Sequence, residues 1–235
     1  MPYLLEVTDL VAGYGKKETL HKVTLNVQHG EIVSVVGHNG AGKTTLLRAI
    51  LGILPVRSGN IELNGKDVTE CSPLDKIRQG ICLVPQGIGV FSDLSVKENL
   101  RVVAHLHGKK EYKSLVLEAL DVFPALRSFV SQTAGTLSGG QRQMLAVAMS
   151  LVARPALMML DEPTLGLSPI ATEEVLHKIK EISETSGSGV LIVEENIYKA
   201  LSIGRRIYII KTGEIIMEET AEKLLSEEAQ YWELF

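Results

Sequence analysis

Cysteine is almost missing from this sequence: Cys71 and Cys82 are the only two, far apart and without ligand spacing. That excludes a disulfide framework and a cysteine-built metal centre. Cys82 lies inside the apolar run ICLV, so a reduced, buried thiol is expected. A surplus of positive charge is missing as well. The 24 lysines and arginines face 28 acidic residues, for a net charge of −4, and no electrostatic footprint for nucleic acid follows. Long hydrophobic runs are also lacking. The longest candidate for a membrane span, residues 144–160, is broken by Arg154 and Pro155. Met1 leads straight into an alternating pattern, so no signal peptide is expected. Neither an internal repeat nor a low-complexity linker is evident. With 235 residues and 45% hydrophobic content, the expectation is a cytosolic chain, either one large α/β domain or a core with a subdomain.

What is present is organised around residues 33–45, VSVVGHNGAGKTT. An apolar run, Ile32–Val36, ends at Gly37. The pattern G-x-x-x-x-G-K-[ST] follows, with Gly37, Gly42, Lys43 and Thr44 at its fixed positions and His38, Asn39, Gly40 and Ala41 between them. Thr45 continues it into a helical stretch, residues 46–51. Strand, glycine loop, helix is the context this motif requires. Glycine permits the close turns that aim successive N–H groups at an anion, and the helix adds its positive end. Lys43 offers a cation to the β- and γ-phosphates, and the Thr44 hydroxyl can sit on Mg²⁺. These residues predict a nucleotide phosphate site.

Along the chain, residues 4–10 and 21–27 alternate as half-buried strands around the turn GYGKK. Tyr14, two residues from any firm strand, either covers the sheet edge or offers a stacking platform to an adenine ring. Residues 59–63 with Asn64-Gly65 form a strand entering a tight turn. Ser72-Pro73 caps a helix, and Ile81–Val84 is a short buried strand ending at Pro85-Gln86-Gly87. From residue 90 to about 136 no strand is expected. Ser95 to Glu98 is a capping box, and Tyr112–Val122 is another helix. The α/β alternation resumes with strands at 157–160 and 190–193, a helix from Ser168-Pro169 to about Ile182, a closing hairpin over 207–217, and a short helix over 220–225.

Two further motifs carry chemistry. LMML runs into Asp161-Glu162-Pro163. An aspartate at the end of a buried strand beside a phosphate loop has a task at Mg²⁺, and Glu162 can take a proton from an attacking water. Taken alone, an apolar run followed by DE is equally consistent with ordinary structure. Upstream, Ser138-Gly139-Gly140-Gln141 precedes a helical stretch. Ser138 is a candidate N-cap, and the glycines leave N–H groups bare at a second helix terminus. One phosphate chain rarely needs two such termini from one protomer, so the second is expected to serve a nucleotide held by another chain. The histidines form no metal site: His38 faces outward from the loop, His105 and His107 do not share a helix face, and His21, His29 and His177 lack ligand neighbours.

GHNGAGKTT, LSGGQ and LMMLDEP, in that order, resemble the nucleotide-binding subunit of ATP-binding cassette (ABC) transporters over essentially the whole chain. The resemblance implies an α/β fold: a P-loop NTPase core of mostly parallel sheet flanked by helices, with an antiparallel β subdomain and a helical insert. Residues 1–89 and 137–235 would be the core and 90–136 the helical subdomain docking on a membrane permease. It implies MgATP hydrolysis coupled to that permease, with adenine on Tyr14, Gln86 at Mg²⁺ or water, and Ser138, Gly139, Gly140 and Gln141 covering the γ-phosphate of the opposite subunit.

Two departures stand out. The family's histidine after the strand 190–193 is replaced in VEEN by Glu195, or by Asn196 if the register differs by one, and the loop after Asp161-Glu162 reads LGLSP. Both resemble the second ATPase subunit of importers for branched-chain amino acids and related amides, in which two different ATPases commonly pair. Expected partners are a second ATPase, homo- or heterodimeric, integral membrane permease subunits that hold the chain peripherally at the cytoplasmic, inner face of the cell membrane and, indirectly, a periplasmic or extracellular substrate-binding protein. Nucleic acid is not among them. An exporter ATPase of similar length is the alternative. A non-transport ABC protein would carry a second cassette, a coiled coil or a basic surface, and a P-loop kinase has no use for LSGGQ. The short stretch after residue 218 disfavours the sugar-importer ATPases, which append a regulatory domain.

Overall fold

The computed structural model describes residues 3–87, 89–105 and 111–226. His107 lies outside them. The strands are β1 (Leu5–Tyr14), β2 (Lys17–Val27), β3 (Ile32–Val36), β4 (Val56–Leu63), β5 (Lys66–Asp67), β6 (Ile81–Val84), β7 (Leu157–Asp161), β8 (Gly189–Glu194), β9 (Arg206–Lys211) and β10 (Glu214–Thr220). The helices are α1 (Lys43–Leu51), α2 (Pro73–Arg78), α3 (Val96–Ala104), α4 (Tyr112–Val122), α5 (Gly139–Val152), α6 (Pro169–Ser186), α7 (Ile197–Ile203) and α8 (Ala221–Ser226).

Two sheets form. A six-stranded sheet runs β10-β9-β3-β8-β7-β6, parallel throughout except for β10. A four-stranded antiparallel sheet runs β2-β1-β4-β5. The central strands β3, β7 and β8 are apolar on both faces, as strands covered on both sides must be. Side chains alternate across them, and each face feeds a different core. Val33, Val35, Met159, Leu191 and Val193 pack towards α1 and the antiparallel sheet. Met158, Leu160, Val190 and Ile192 pack towards α5, α6 and the helices of the 90–136 stretch. Among the described residues that stretch contains no strand, only the bridge Ser95–Thr133, with α3, α4 and short 3-10 turns at Pro124–Phe129 and Ala134–Thr136.

Several expectations change in detail. Tyr14 is not outside a strand: it is the last residue of β1, because the β1–β2 hairpin continues four residues past Leu10 and pairs Tyr14 with Lys17. The helix capped by Ser168 runs on to Ser186, where Gly187 takes the left-handed conformation that ends it. β6 is the edge of its sheet, so Cys82 is half-buried rather than buried. Desolvation still pushes its thiol up to about 11, so it stays inert at neutral pH. His21 does have an acidic neighbour, Glu18, 3.9 Å away and three residues earlier in β2.

Candidate functional site

The C-terminal ends of four parallel strands converge. β3 leads into the glycine loop, β6 into Gln86, β7 into Asp161 and Glu162, and β8 into Glu194 and Glu195. Ligands of open α/β sheets bind at that end, where loops are free to vary while the strands hold them rigidly.

The loop itself is built for an anion. A Cβ on Gly37 would lie 2.3 Å from the Ile210 carbonyl oxygen, so the chain passes there only as glycine. Gly42 caps α1 at φ 112°, reachable without strain only by glycine. Five other helices (α2, α3, α5, α6 and α7) have a serine or asparagine side chain accepting from the first turn. α1 has none, and the N–H groups of Lys43, Thr44 and Thr45 meet no protein acceptor among the described residues. Unpaired donors at the positive end of a helix are what a phosphate satisfies.

Lys43 is only 4% exposed, yet its ammonium is well bonded: it donates to the carbonyls of Gly37 (2.7 Å) and His38 (3.2 Å) and lies 3.0 Å from Glu162 Oε1. Gln86 Nε2 donates to the other oxygen of Glu162, at 3.0 Å. The general-base candidate is thus held between the loop lysine and Gln86. Glu162 lies one residue past β7 in the left-handed region (φ 46°), its N–H on the Val193 carbonyl at 3.0 Å. A non-glycine residue persists there only when its surroundings over-determine it. The Thr44 hydroxyl donates to Asp161 Oδ1 at 3.0 Å. Burial raises the pKa of Asp161, opposed by the Thr44 hydrogen bond and reinforced by the charge of Glu162. No group of three or more His, Cys, Asp or Glu among the described residues makes a metal centre by itself. A magnesium ion that takes most of its ligands from phosphate and water needs only the Thr44–Asp161 pair.

Tyr14 is 46% exposed at the end of β1, its hydroxyl accepting from Arg48 Nη1 at 3.2 Å, so one ring edge is anchored on α1. Glu195 is exposed and accepts from Asn39 Nδ2 of the loop at 3.0 Å. Asn196 is engaged otherwise: its Oδ1 caps α7, accepting from the N–H groups of Tyr198 (2.9 Å) and Lys199 (3.3 Å). The residue turned to the glycine loop is therefore Glu195. His38 is exposed, as expected, on the wall of a cavity it shares with Glu162, Glu194, Glu195 and Lys199.

At the head of α5 the expected bare terminus is half filled. Ser138 Oγ accepts from Gln141 N (3.3 Å) and Gln141 Oε1 from Ser138 N (2.9 Å), a closed capping box that leaves the N–H groups of Gly139 and Gly140. A Cβ on Gly140 would also come 2.9 Å from Ala171 Cβ of α6. No hydrogen bond among the described residues joins residues 138–141 to the glycine loop of the same chain.

Three residues without an expected role adjoin the site. The Thr164 hydroxyl, fully buried, donates to Glu194 Oε1 (2.7 Å) and accepts from Lys199 Nζ (2.8 Å). Burial raises the pKa of Glu194, which is 3% exposed, against the Thr164 hydrogen bond and the Lys199 charge. A carboxylate continuing an all-apolar strand was the available signal for Glu194. Lys199 lies five residues further on, at a spacing without a motif.

The family described as ABC transporter matches residues 20–165 of this chain. The probable branched-chain amino acid transport ATP-binding protein LivF of Archaeoglobus fulgidus is 40% identical, over 96% of this chain and 95% of its own length. The high-affinity branched-chain amino acid transport ATP-binding protein BraG of Pseudomonas aeruginosa is 39% identical, over 91% of each. The lipopolysaccharide export system ATP-binding protein LptB of Escherichia coli K12 is 33% identical, over 95% and 93%. Among solved structures, cbiO1 from Clostridium perfringens, part of the transporter complex cbiONQ, superposes with a TM-score of 0.87 at 26% identity, covering 100% of this chain and 95% of its own. A dimeric ATP-binding cassette in a post-hydrolysis state bound to ADP and Pi gives 0.81 at 27% identity, covering 92% and 98%.

Proposed function

The chain belongs to the ABC transporter family and is an ATP hydrolase of that family, and from that premise we propose that it powers a separate membrane permease importing branched-chain amino acids or related small amino acids and amides. The observation that carries the substrate class is the 40% identity to a LivF protein along 96% of the chain. The segments VEEN and LGLSP at the two departures from the wider family agree with it.

In this reading ATP enters with its phosphates on the N–H groups of the glycine loop and the α1 terminus, and with its adenine on Tyr14. Lys43 exchanges loop carbonyls for phosphate oxygens, releasing Glu162 to face the attacking water, which Gln86 helps to orient. Mg²⁺, when bound, neutralises charge on the β- and γ-phosphates; Thr44, Gln86 and Asp161 are the residues that would hold it. The remaining donors at Gly139 and Gly140, with the Ser138 hydroxyl, cover the γ-phosphate of a second ATPase subunit. The helical stretch 90–136 faces the permease, the rest of the chain forming the nucleotide-binding core. No helix among the described residues is long and apolar enough to cross a membrane, which agrees with attachment at the cytoplasmic face through the permease.

The test is co-expression with the permease subunits of a branched-chain amino-acid importer from the same organism, followed by reconstitution into proteoliposomes with that importer's substrate-binding protein. Expected is ATP-driven uptake of labelled leucine, isoleucine or valine, abolished by Glu162→Gln. Hydrolysis stimulated by a lipid cargo and indifferent to amino acids would instead favour export, the role named for the LptB relative.

A further inference from the structure

We propose that Thr164, Glu194 and Lys199 are a positioning unit that sets the reach of Glu162 towards the attacking water. The inference rests on Glu162 acting as the general base. The three residues come from three segments that meet behind the site: the turn after β7, the last residue of β8 and the first turn of α7. Their bonds have a direction. A threonine hydroxyl carries one hydrogen, and that of Thr164 is committed to Glu194 Oε1 at 2.7 Å. Lys199 Nζ must then be the donor at 2.8 Å, with a second, longer bond to the Thr164 carbonyl at 3.4 Å. The chain reads ammonium, hydroxyl, carboxylate.

The position of this unit makes it more than a buried ion pair. Glu162 lies two residues before Thr164 in a left-handed conformation that costs energy unless neighbouring groups hold it. Its N–H is held by the Val193 carbonyl at 3.0 Å, immediately before Glu194, and its carbonyl accepts from Leu165 N at 3.1 Å. Turn 162–165 is thus tied to the end of β8 twice, by backbone at Glu162 and by side chain at Thr164. Lys199 draws in α7, whose preceding residues carry Glu195 and its bond to Asn39 of the glycine loop. A trio of apolar side chains would fill the same space without desolvating two charges, so stability alone does not account for the ions; a fixed geometry does. The same three elements wall the cavity that holds Glu162 and His38.

The experiment compares MgATP hydrolysis and fluorescent-nucleotide binding by the full chain carrying Thr164→Val or Lys199→Met. Misplacing a base lowers turnover rather than binding, so kcat should fall roughly ten- to a hundredfold while the nucleotide Kd moves less than about twofold. Thr164→Ser and Lys199→Arg keep the hydroxyl and the charge and should recover to within about threefold of wild type. In a Glu162→Gln background the same substitutions should cause no further loss, because the group they position is gone. Should Thr164→Val fail to fold, Lys199→Met, at a half-buried side chain, carries the comparison. Wild-type kcat in folded variants that only melt earlier would overturn the proposal, as would an additional loss in the Glu162→Gln background. Wild-type turnover by Glu162→Gln itself is a separate result: it would remove the general-base reading without any variant of the unit.

Discussion

At the scale of single residues, the chemistry converges on Glu162. Its two oxygens accept from Lys43 and Gln86, 3.0 Å each. Glu162→Gln preserves that shape and removes the base, so nucleotide binding should persist while phosphate release falls by about 10²- to 10⁴-fold. Normal turnover in steady-state assays would reject the assignment. Glu195, the residue of VEEN turned to the glycine loop, is the one we propose for the position where the wider family has histidine. An ionised carboxylate repels a γ-phosphate, and Asn39 offers it another partner. Glu195→His is therefore expected to raise kcat at pH 7, whereas Glu195→Gln tests whether the charge alone matters. Identical rates and pH profiles from pH 5.5 to 8 for all three proteins would show that position 195 never meets the phosphate. A third residue-scale consequence is thermodynamic. The pKa of Glu194 is raised by burial above its value of 4.5 in an unfolded chain. A raised carboxylate pKa means that the folded state holds the proton more tightly, so this contribution to stability is present below pH 4.5 and is lost as pH rises through the folded-state value. Without nucleotide, the melting temperature of the wild type should decline relative to Glu194→Gln on going upward from pH 4.5; parallel curves would contradict the shift.

At the scale of elements, the contrast between two helix termini explains the division of labour. α1 begins without a side-chain cap and leaves its donors to a ligand, while α5 begins with a closed capping box. Loss of an N-cap hydroxyl typically costs about 1 kcal/mol, so Ser138→Ala should lower the denaturation midpoint modestly and leave binding to the monomer intact. Ser138→Arg places a bulky cation at the surface proposed to cover the other subunit's γ-phosphate. It should bind nucleotide normally in titrations yet hydrolyse at background rates. Hydrolysis at the wild-type rate by a monomeric Ser138→Arg protein would end the idea of a shared site.

At the scale of the whole molecule, no hydrogen bond among the described residues joins the glycine loop to the head of α5 on the one chain, and each presents N–H groups without a protein acceptor among those residues. We propose that two copies, or this chain and a related ATPase, complete two sites by facing each other; a related cassette bound to ADP and Pi is dimeric. ATP should therefore double the mass of the Glu162→Gln protein in light scattering, and Ser138→Arg in the same background should keep it monomeric.

Much of this was legible in the sequence because its causes are local. Glycines at fixed spacing, an apolar run that stops at Asp161, and serine followed by proline or by glutamate three residues on act within one strand–turn–helix unit. They determined the order of elements, the glycine loop, the caps and the family. Boundaries drifted where pairing rather than propensity decides length: Tyr14 joined β1 because β2 pairs with it, and Cys82 is half-buried because β6 has a neighbour on one side only. Tertiary structure alone decided the partners of side chains far apart in the chain. Glu162 with Lys43, Glu195 with Asn39, and Thr164 with Glu194 and Lys199 meet because parallel strands end together, and strand order leaves no mark in local spacing. The capping role of Asn196, which left Glu195 to face the loop, was likewise settled by where β8 stops and α7 begins.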